Sequence, residues 1–419
     1  FSIITCGSKS STSSTTSSDN TTTTDNTTTT STVSVTSYPS DSDTSVSVTP
    51  TIYVTFSEIM DPTTVTTNIW NTTCSETFQV SSDNFSTCVK MSNFPSVSNY
   101  NRTYSVIPDS YLSYSTSYKI RITTGVKDSS GNSMSSLYEM NNGFSTDGLL
   151  VVVGDGGTIL TSSDGSTWTS RTSGTTSRLY DIEFINSNFI IVGQYVLFRT
   201  SSNGTTWNSF VTGVDWLYGI TYGNNTFVTV SWNGNIYTSP EGTYWTKRVS
   251  GIINPLLDVS FGNGNFVISS SQGMFYTSSD GLTWTSRTTD TTNTLWDIIF
   301  EKGMFVMVGS SGSIRTSSDG VAWTSRTSGT TIDLTGVTYG NNTFVAVGYS
   351  GTVLTSSDGL TWISRTSGTS EKLWGVTYGN NIYVSVGDSG SIITSSDGIS
   401  WSNRVSGTSL TLNSVTSTQ

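Results

Sequence analysis

From position 148 onward, short apolar runs alternate with turns at a fixed period. One period, 334–368, reads LTGVTYGNNTFVAVGYSGTVLTSSDGLTWISRTSG. It contains the runs LTGVTY, TFVAVG, TVLTSS and TWISRT, separated by GNN, GYSG and DG. The runs are rich in β-branched and aromatic residues, and the breaks hold the Gly, Asn and Asp that tight turns need. Each period is therefore expected to form a four-stranded antiparallel meander. The tryptophans that mark successive periods are Trp168, Trp207, Trp245, Trp284, Trp323, Trp362 and Trp401, about 39 residues apart. Seven such units predict a seven-bladed β-propeller over 148–419. The first unit starts at LLVVVG (149–154) and lacks a first strand of its own. The closing LNSVTSTQ (412–419) aligns with LWGVTYGN (373–380), the first strand of another unit. The C-terminal strand is thus expected to complete the first blade and close the ring, leaving no free sheet edge.

Ahead of the repeats, TIYVTFSEIM (51–60) and YKIRITTGV (118–126) alternate apolar and polar residues, and KDSSGNSM (127–134) reads as a turn. No long helical period appears. A small β-sandwich is expected over 47–147, so the whole chain is all-β. Residues 7–46 are almost entirely Ser, Thr, Asn and Asp. Such a segment has too little apolar surface to offset its ordering entropy and is expected to act as a tether.

Composition narrows the chemistry. The net charge is −11, which disfavours nucleic acid and anionic lipid surfaces. Histidine is absent, which removes Ser-His-Asp and Cys-His catalysis and histidine zinc sites. No cofactor or metal is expected. Of the three cysteines, Cys74 and Cys88 lie close together in one domain and are the natural disulfide pair, leaving Cys6.

The repeated box, TSSDGLTW at 355–362 and its relatives, resembles the Asp-box of sialidases, sortilin-like propellers and the photosystem II assembly factor family. Here it is one residue shorter than the common form. The resemblance implies a structural hairpin on the outer part of each blade. It covers Asp164, Asp280, Asp319, Asp358 and Asp397 together with the seven motif tryptophans. Asp-Gly would supply a type I′ turn, with positive φ at both central residues. FSEIMDPTTV (56–65), TTGVKDSSGNSM (123–134) and FSTDG (144–148) resemble the bacterial Ig-like domain of S-layer and surface proteins, which implies a spacer. Asp61, Asp128 and Asn132 are read as turn and capping residues, with calcium ligation as the competing reading. FSIITCGS, over 1–8, resembles a signal-peptide tail (1–6) with a lipobox. It implies lipidation of Cys6, a membrane anchor, and display on the outer surface of a bacterial envelope.

A sialidase-like enzyme would need an arginine cluster at the axis, and its F/Y-R-I-P segment is absent. Arg171, Arg248, Arg287, Arg326, Arg365 and Arg404 each follow a box Trp at the same spacing and belong to the repeat. Arg178, Arg199 and Arg315 stand outside the pattern, as does Glu183 on an inner strand. No catalytic residue is assigned. Positions that differ between blades are free for recognition. They place Tyr180, Tyr195, Tyr218, Trp232, Trp296, Tyr349 and Trp374 near one mouth of the channel, where aromatic rings suit a protein or glycan ligand. The expectation is a monomeric, non-enzymatic envelope protein that displays a binding propeller on an Ig-like stalk. An envelope assembly or scaffold factor is the alternative, and a glycoside hydrolase a more distant one.

Overall fold

The computed structural model describes residues 32–418 apart from 45, 196, 212 and 214. Cys6, the lipobox and most of the expected tether lie outside the described residues. Among the described residues all regular elements are strands and short 3-10 turns, and no helix there is long and apolar enough to cross a membrane.

The sandwich begins earlier than position 47. Val35–Tyr38 is a strand paired antiparallel with Ile52–Phe56, so the tether expected to reach residue 46 already contains ordered sheet. Its alternation was hidden because Thr36 and Ser37 are ordinary in a Ser/Thr tract, and only the partner strand marks them as sheet. The first sheet runs Val35–Tyr38, Ile52–Phe56, Thr103–Val106, Ser96–Ser98. The second holds Phe78–Ser81, Ser117–Ile122, Tyr138–Glu139 and Phe144–Ser145. Their inward residues, among them Ile52, Val54, Phe56, Phe78, Val80, Tyr104, Ile120 and Ile122, form one core. The alternation follows from the two-residue period of a strand with one face covered. Cys74 and Cys88 are bonded to each other. Asp61 caps the turn at Pro62–Thr64 by accepting from the Thr63 N–H at 2.9 Å. Asp128 accepts from the Ser130 and Asn132 N–H groups, both at 2.8 Å, and from Asn132 Nδ2 at 2.9 Å, as a turn residue does.

Residues 149–418 form seven four-stranded antiparallel sheets arranged as blades. Six use consecutive strands. The seventh is composite: Thr169–Arg171, Ile159–Ser162 and Leu150–Gly154 are joined by Leu412–Ser417, with Val415 opposite Val152. The ring is therefore closed by the C-terminal strand, as the alignment of LNSVTSTQ predicts. The apolar cores lie between blades rather than within them. Val306, Val308 and Ile314 of one blade, for example, pack on Leu334, Val337 and Phe344 of the next. A blade cannot bury these faces alone, which makes stability a property of the ring.

The box is a seam on the face opposite the predicted mouth. Asp358 Oδ1 accepts from the Leu360 and Thr361 N–H groups at 2.8 and 3.0 Å, and Trp362 Nε1 donates to the Gly359 carbonyl at 3.1 Å. The same carboxylate–amide bonds recur at Asp164, Asp280, Asp319 and Asp397, although the Trp323 indole N–H of the Asp319 box has no hydrogen-bond partner. The turn differs from the expected type I′. Gly359 has φ +73°, but Asp358 stays in the ordinary region, because its carboxylate must fold back onto the two following amides. Six of the box tryptophans pack on the aromatic near the start of the second strand, as with Phe344 and Trp362 at 6.4 Å between centroids, and Trp168 packs against the aliphatic cluster of Leu150 and Val152 instead. The repeat arginines do the same job at the fourth strand: Arg365 Nε donates to Thr355 Oγ1 at 2.9 Å. The turns between first and second strands then lock neighbours together. Asn224, Asn263 and Asn380 donate to the carbonyls of Ser279, Ser318 and Ser163 in the box of the following blade.

Candidate functional site

The first strand of each blade lines the axis: Leu179–Ile185, Leu217–Gly223, Leu256–Gly262, Leu295–Glu301, Leu334–Gly340, Leu373–Gly379 and Leu412–Ser417. Every one carries a register shift just after its leading Leu. That bulge turns the third residue toward the next blade and leaves an amide beyond it in need of an acceptor. Asp181, Asp258 and Asp297 supply it: their Oδ2 atoms accept from the N–H groups of Ile220, Ile298 and Val337 at 3.2, 3.0 and 2.7 Å. Ser414 Oγ donates to Asp181 Oδ1 at 2.8 Å, which carries the belt across the closing strand. Where Gly219 occupies the same position, a side chain would strike the Asp258 carboxylate.

The belt encloses a central cavity of about 950 Å³, open at the mouth. Tyr180, Tyr218, Trp232, Trp296 and Trp374 line it. Tyr180 and Tyr218 are stacked with centroids 4.3 Å apart, and Trp232 leans on Tyr218 at 5.6 Å. The indole N–H of Trp296 donates to Ser310 Oγ at 3.0 Å, and that of Trp374 to Asp388 Oδ1 at 2.7 Å. These bonds fix the orientation of both rings while leaving part of each face in the opening. Tyr349 is not in the lining; it meets Trp374 edge-on at 5.5 Å and carries Lys372 Nζ 4.2 Å from its ring centre. Tyr195 stands apart on the 2–3 loop of its blade, exposed and at φ +68°. The structure thus gathers five of the seven predicted aromatics around one opening, buttresses a sixth against them, and leaves Tyr195 outside.

Below the rings the cavity is acidic. Burial pushes the Asp181 carboxyl up to about 6. Burial raises Asp258 as well, helped by the charges of Asp297 and Asp181, and burial raises Asp297. Glu183 is exposed toward the channel but is ringed by protein; that environment, then Asp181 and Asp297, raises it. Arg178 at the mouth is tied to Asp155 by a 2.6 Å ion pair. Arg199 and Arg315 lie in buried seams on third strands, away from the lining. Among the described residues Arg178 is the arginine that reaches the cavity lining.

The acidic belt was missed in the repeat pattern because its aspartates share a frame position with glycine. The usable signal was the alternation Asp181, Gly219, Asp258, Asp297, Gly336, Gly375, Ser414 at one strand position. A position that takes either Asp or Gly serves a backbone need in some blades only.

The titrations set a pH dependence. The belt carboxyls hold their protons more tightly folded than unfolded, so their contribution is complete below the ordinary carboxylate range and is lost as pH rises above it, through about 6 in the case of Asp181. The box does the reverse. Backbone amides hold Asp280 down at about 2, so its contribution is complete above the ordinary range and lost as pH falls toward that value. The melting temperature is expected to peak near about pH 4–5 and to decline toward about pH 7. Asp181→Asn should flatten that decline in a scanning fluorimetry series. A melting temperature that rises steadily across the same interval would contradict the assignment.

Two family models match the chain. The model of the bacterial Ig-like domain family matches residues 27–146. That of the photosynthesis system II assembly factor YCF48 family matches residues 134–396, more than half of the chain. No curated protein matches the chain. Similar solved structures include YCF48 bound to a D1 peptide, 20% identical over 58% of this chain and 86% of that one, with a TM-score of 0.49. YCF48 from Cyanidioschyzon merolae is 15% identical over 56% and 87%, with a TM-score of 0.46. The WD40 propeller domain of Doa1 is 15% identical over 60% and 87%, with a TM-score of 0.47. With its seven box-bearing blades and composite closing sheet, the chain belongs to the photosynthesis system II assembly factor YCF48 family, joined to a bacterial Ig-like domain.

Proposed function

We propose that the chain is a non-enzymatic binding protein of the bacterial cell envelope, whose propeller mouth takes a protein segment. The observation that carries this reading is the set of five aromatic side chains around one cavity, two of them anchored through their indole N–H groups. Rings already held in place supply contact area at little entropic cost. The acids beneath them favour a neutral or cationic side chain at the centre and disfavour an anionic one. Extracellular display through a lipid on Cys6, with the Ig-like domain as spacer, fits the sequence around that cysteine and the family match over 27–146. A glycan is the second reading, supported by the same aromatic platforms. An assembly role within the envelope is also consistent with the family description.

Panning a random peptide display library and probing a glycan array with the same purified chain separates the ligand classes. Enriched peptides depleted in Asp and Glu, with no reproducible glycan signal, are expected. Glycan binding without peptide enrichment would overturn the protein-ligand reading.

A further inference from the structure

The outer seam between the first two blades lies apart from the channel. After each fourth strand the chain makes a loop that packs on the third strand of the next blade. At one equivalent loop position the seven blades carry Gly174, Gly213, Gly251, Asp290, Gly329, Gly368 and Gly407. The third-strand position opposite holds Arg199, Tyr237, Tyr276, Arg315, Leu354, Ile393 and Leu160 in the same order. Five seams pair Gly with an apolar or aromatic side chain. One pairs Asp290 with Arg315, whose Nε lies 2.9 Å from Asp290 Oδ1, an ion pair without the alignment of a hydrogen bond. The remaining seam pairs an arginine with glycine.

Arg199 is only 5% exposed. Its Nη2 donates to the Gly174 carbonyl at 3.2 Å, and its Nε has no partner. Among the described residues no carboxylate comes within ion-pair distance of it. A buried guanidinium without a counter-ion is costly and is satisfied best by a carboxylate, whose two oxygens match its fork. Space for one exists. Gly174 is exposed, and a Cβ built on it would meet nothing within 4 Å except Arg199 Nη1 at 3.8 Å. In the Arg315 seam the carboxylate comes from Asp290, itself largely open to solvent.

We propose that the seam at Arg199 and Gly174 is a carboxylate-binding site that takes from outside the chain the group Asp290 supplies to Arg315. The carboxylate is either an acidic side chain of a bound protein or a free small carboxylate. The test is the Nε–H resonance of Arg199 in the full chain labelled with ¹⁵N-arginine. It is titrated with sodium acetate, and separately with a capped Gly-Glu-Gly peptide, against sodium chloride of matched ionic strength. A saturable shift at Arg199 with the carboxylates, none at Arg315, and a new response at Arg315 in Asp290→Ala are expected. Assignment comes from Arg199→Leu, a residue the equivalent positions 160 and 354 already accommodate. Saturation at lower concentration by the peptide points to a protein ligand, and equal saturation to free carboxylates. No shift at Arg199, or the same shift with chloride alone, would overturn the proposal.

Discussion

Removal of Leu412–Ser417 is expected to abolish the cooperative unfolding of the propeller and leave an aggregation-prone chain. This segment is the innermost strand of the first blade, paired along Leu150–Gly154. It buries Leu412 and Val415, beside Leu150 and Val152, against Val384, Val386 and Ile392 of the last blade. Asn413 also donates to the Leu179 carbonyl and to Asp155, and Ser414 to Asp181, so the strand ties the first blade to the second as well as to the last. Burying two such side chains contributes about 3–6 kcal/mol. Its loss, with the ladder and the exposed edges that follow, rivals the roughly 5–15 kcal/mol that hold an ordinary domain. Because the cores sit between blades, opening one seam weakens both neighbours. Circular dichroism melts and size-exclusion chromatography of the truncated chain test this. An unchanged melting temperature and a monomeric profile would mean that the ring does not depend on its closing strand.

The second large effect is on binding. Trp296→Ala combined with Trp374→Ala is expected to weaken a mouth-directed peptide by at least about 30-fold, the scale of a lost aromatic hot spot worth about 2 kcal/mol. Both rings line the cavity and both are anchored by hydrogen bonds to their own blade. Their removal takes away contact area and the preorganisation that makes it effective. Trp296→Phe combined with Trp374→Phe keeps much of the area but loses both anchoring hydrogen bonds, and should recover only part of the affinity. A melting temperature within a few degrees of the parent separates lost contact from lost fold.

The propeller was legible because its signals repeat. Trp362 alone says little, but seven such tryptophans about 39 residues apart fix blade number and strand phase. LNSVTSTQ revealed the closure because it matched an inner strand and had no blade of its own. The strand Val35–Tyr38 was not legible, since VTSY in a Ser/Thr tract shows its role only once Ile52–Phe56 is seen beside it. At the mouth, variation among blades found the right strand starts. It could not distinguish rings that face the cavity, such as Trp296, from Tyr195, whose position depends on the backbone of a single loop. The acidic belt required a bulge that no residue type announces. Asp181, Asp258 and Asp297 matter because each reaches an amide on the neighbouring strand, and that adjacency exists only in the closed ring. The Arg199 seam shows the converse. Its arginine stood out in the sequence, while its missing counter-ion became visible only beside Asp290 and Arg315.

The claim that the mouth is the binding face is tested most directly by fluorescence anisotropy of one labelled peptide selected on the parent chain. It is measured against the parent, the Trp296→Ala/Trp374→Ala variant, and Leu360→Ser. Leu360 is an exposed residue of a box hairpin at the opposite face. The expected result is a rise in Kd of at least about 30-fold for the tryptophan variant and none for Leu360→Ser. Equal affinity for the parent and the tryptophan variant, or a loss confined to Leu360→Ser, would contradict it.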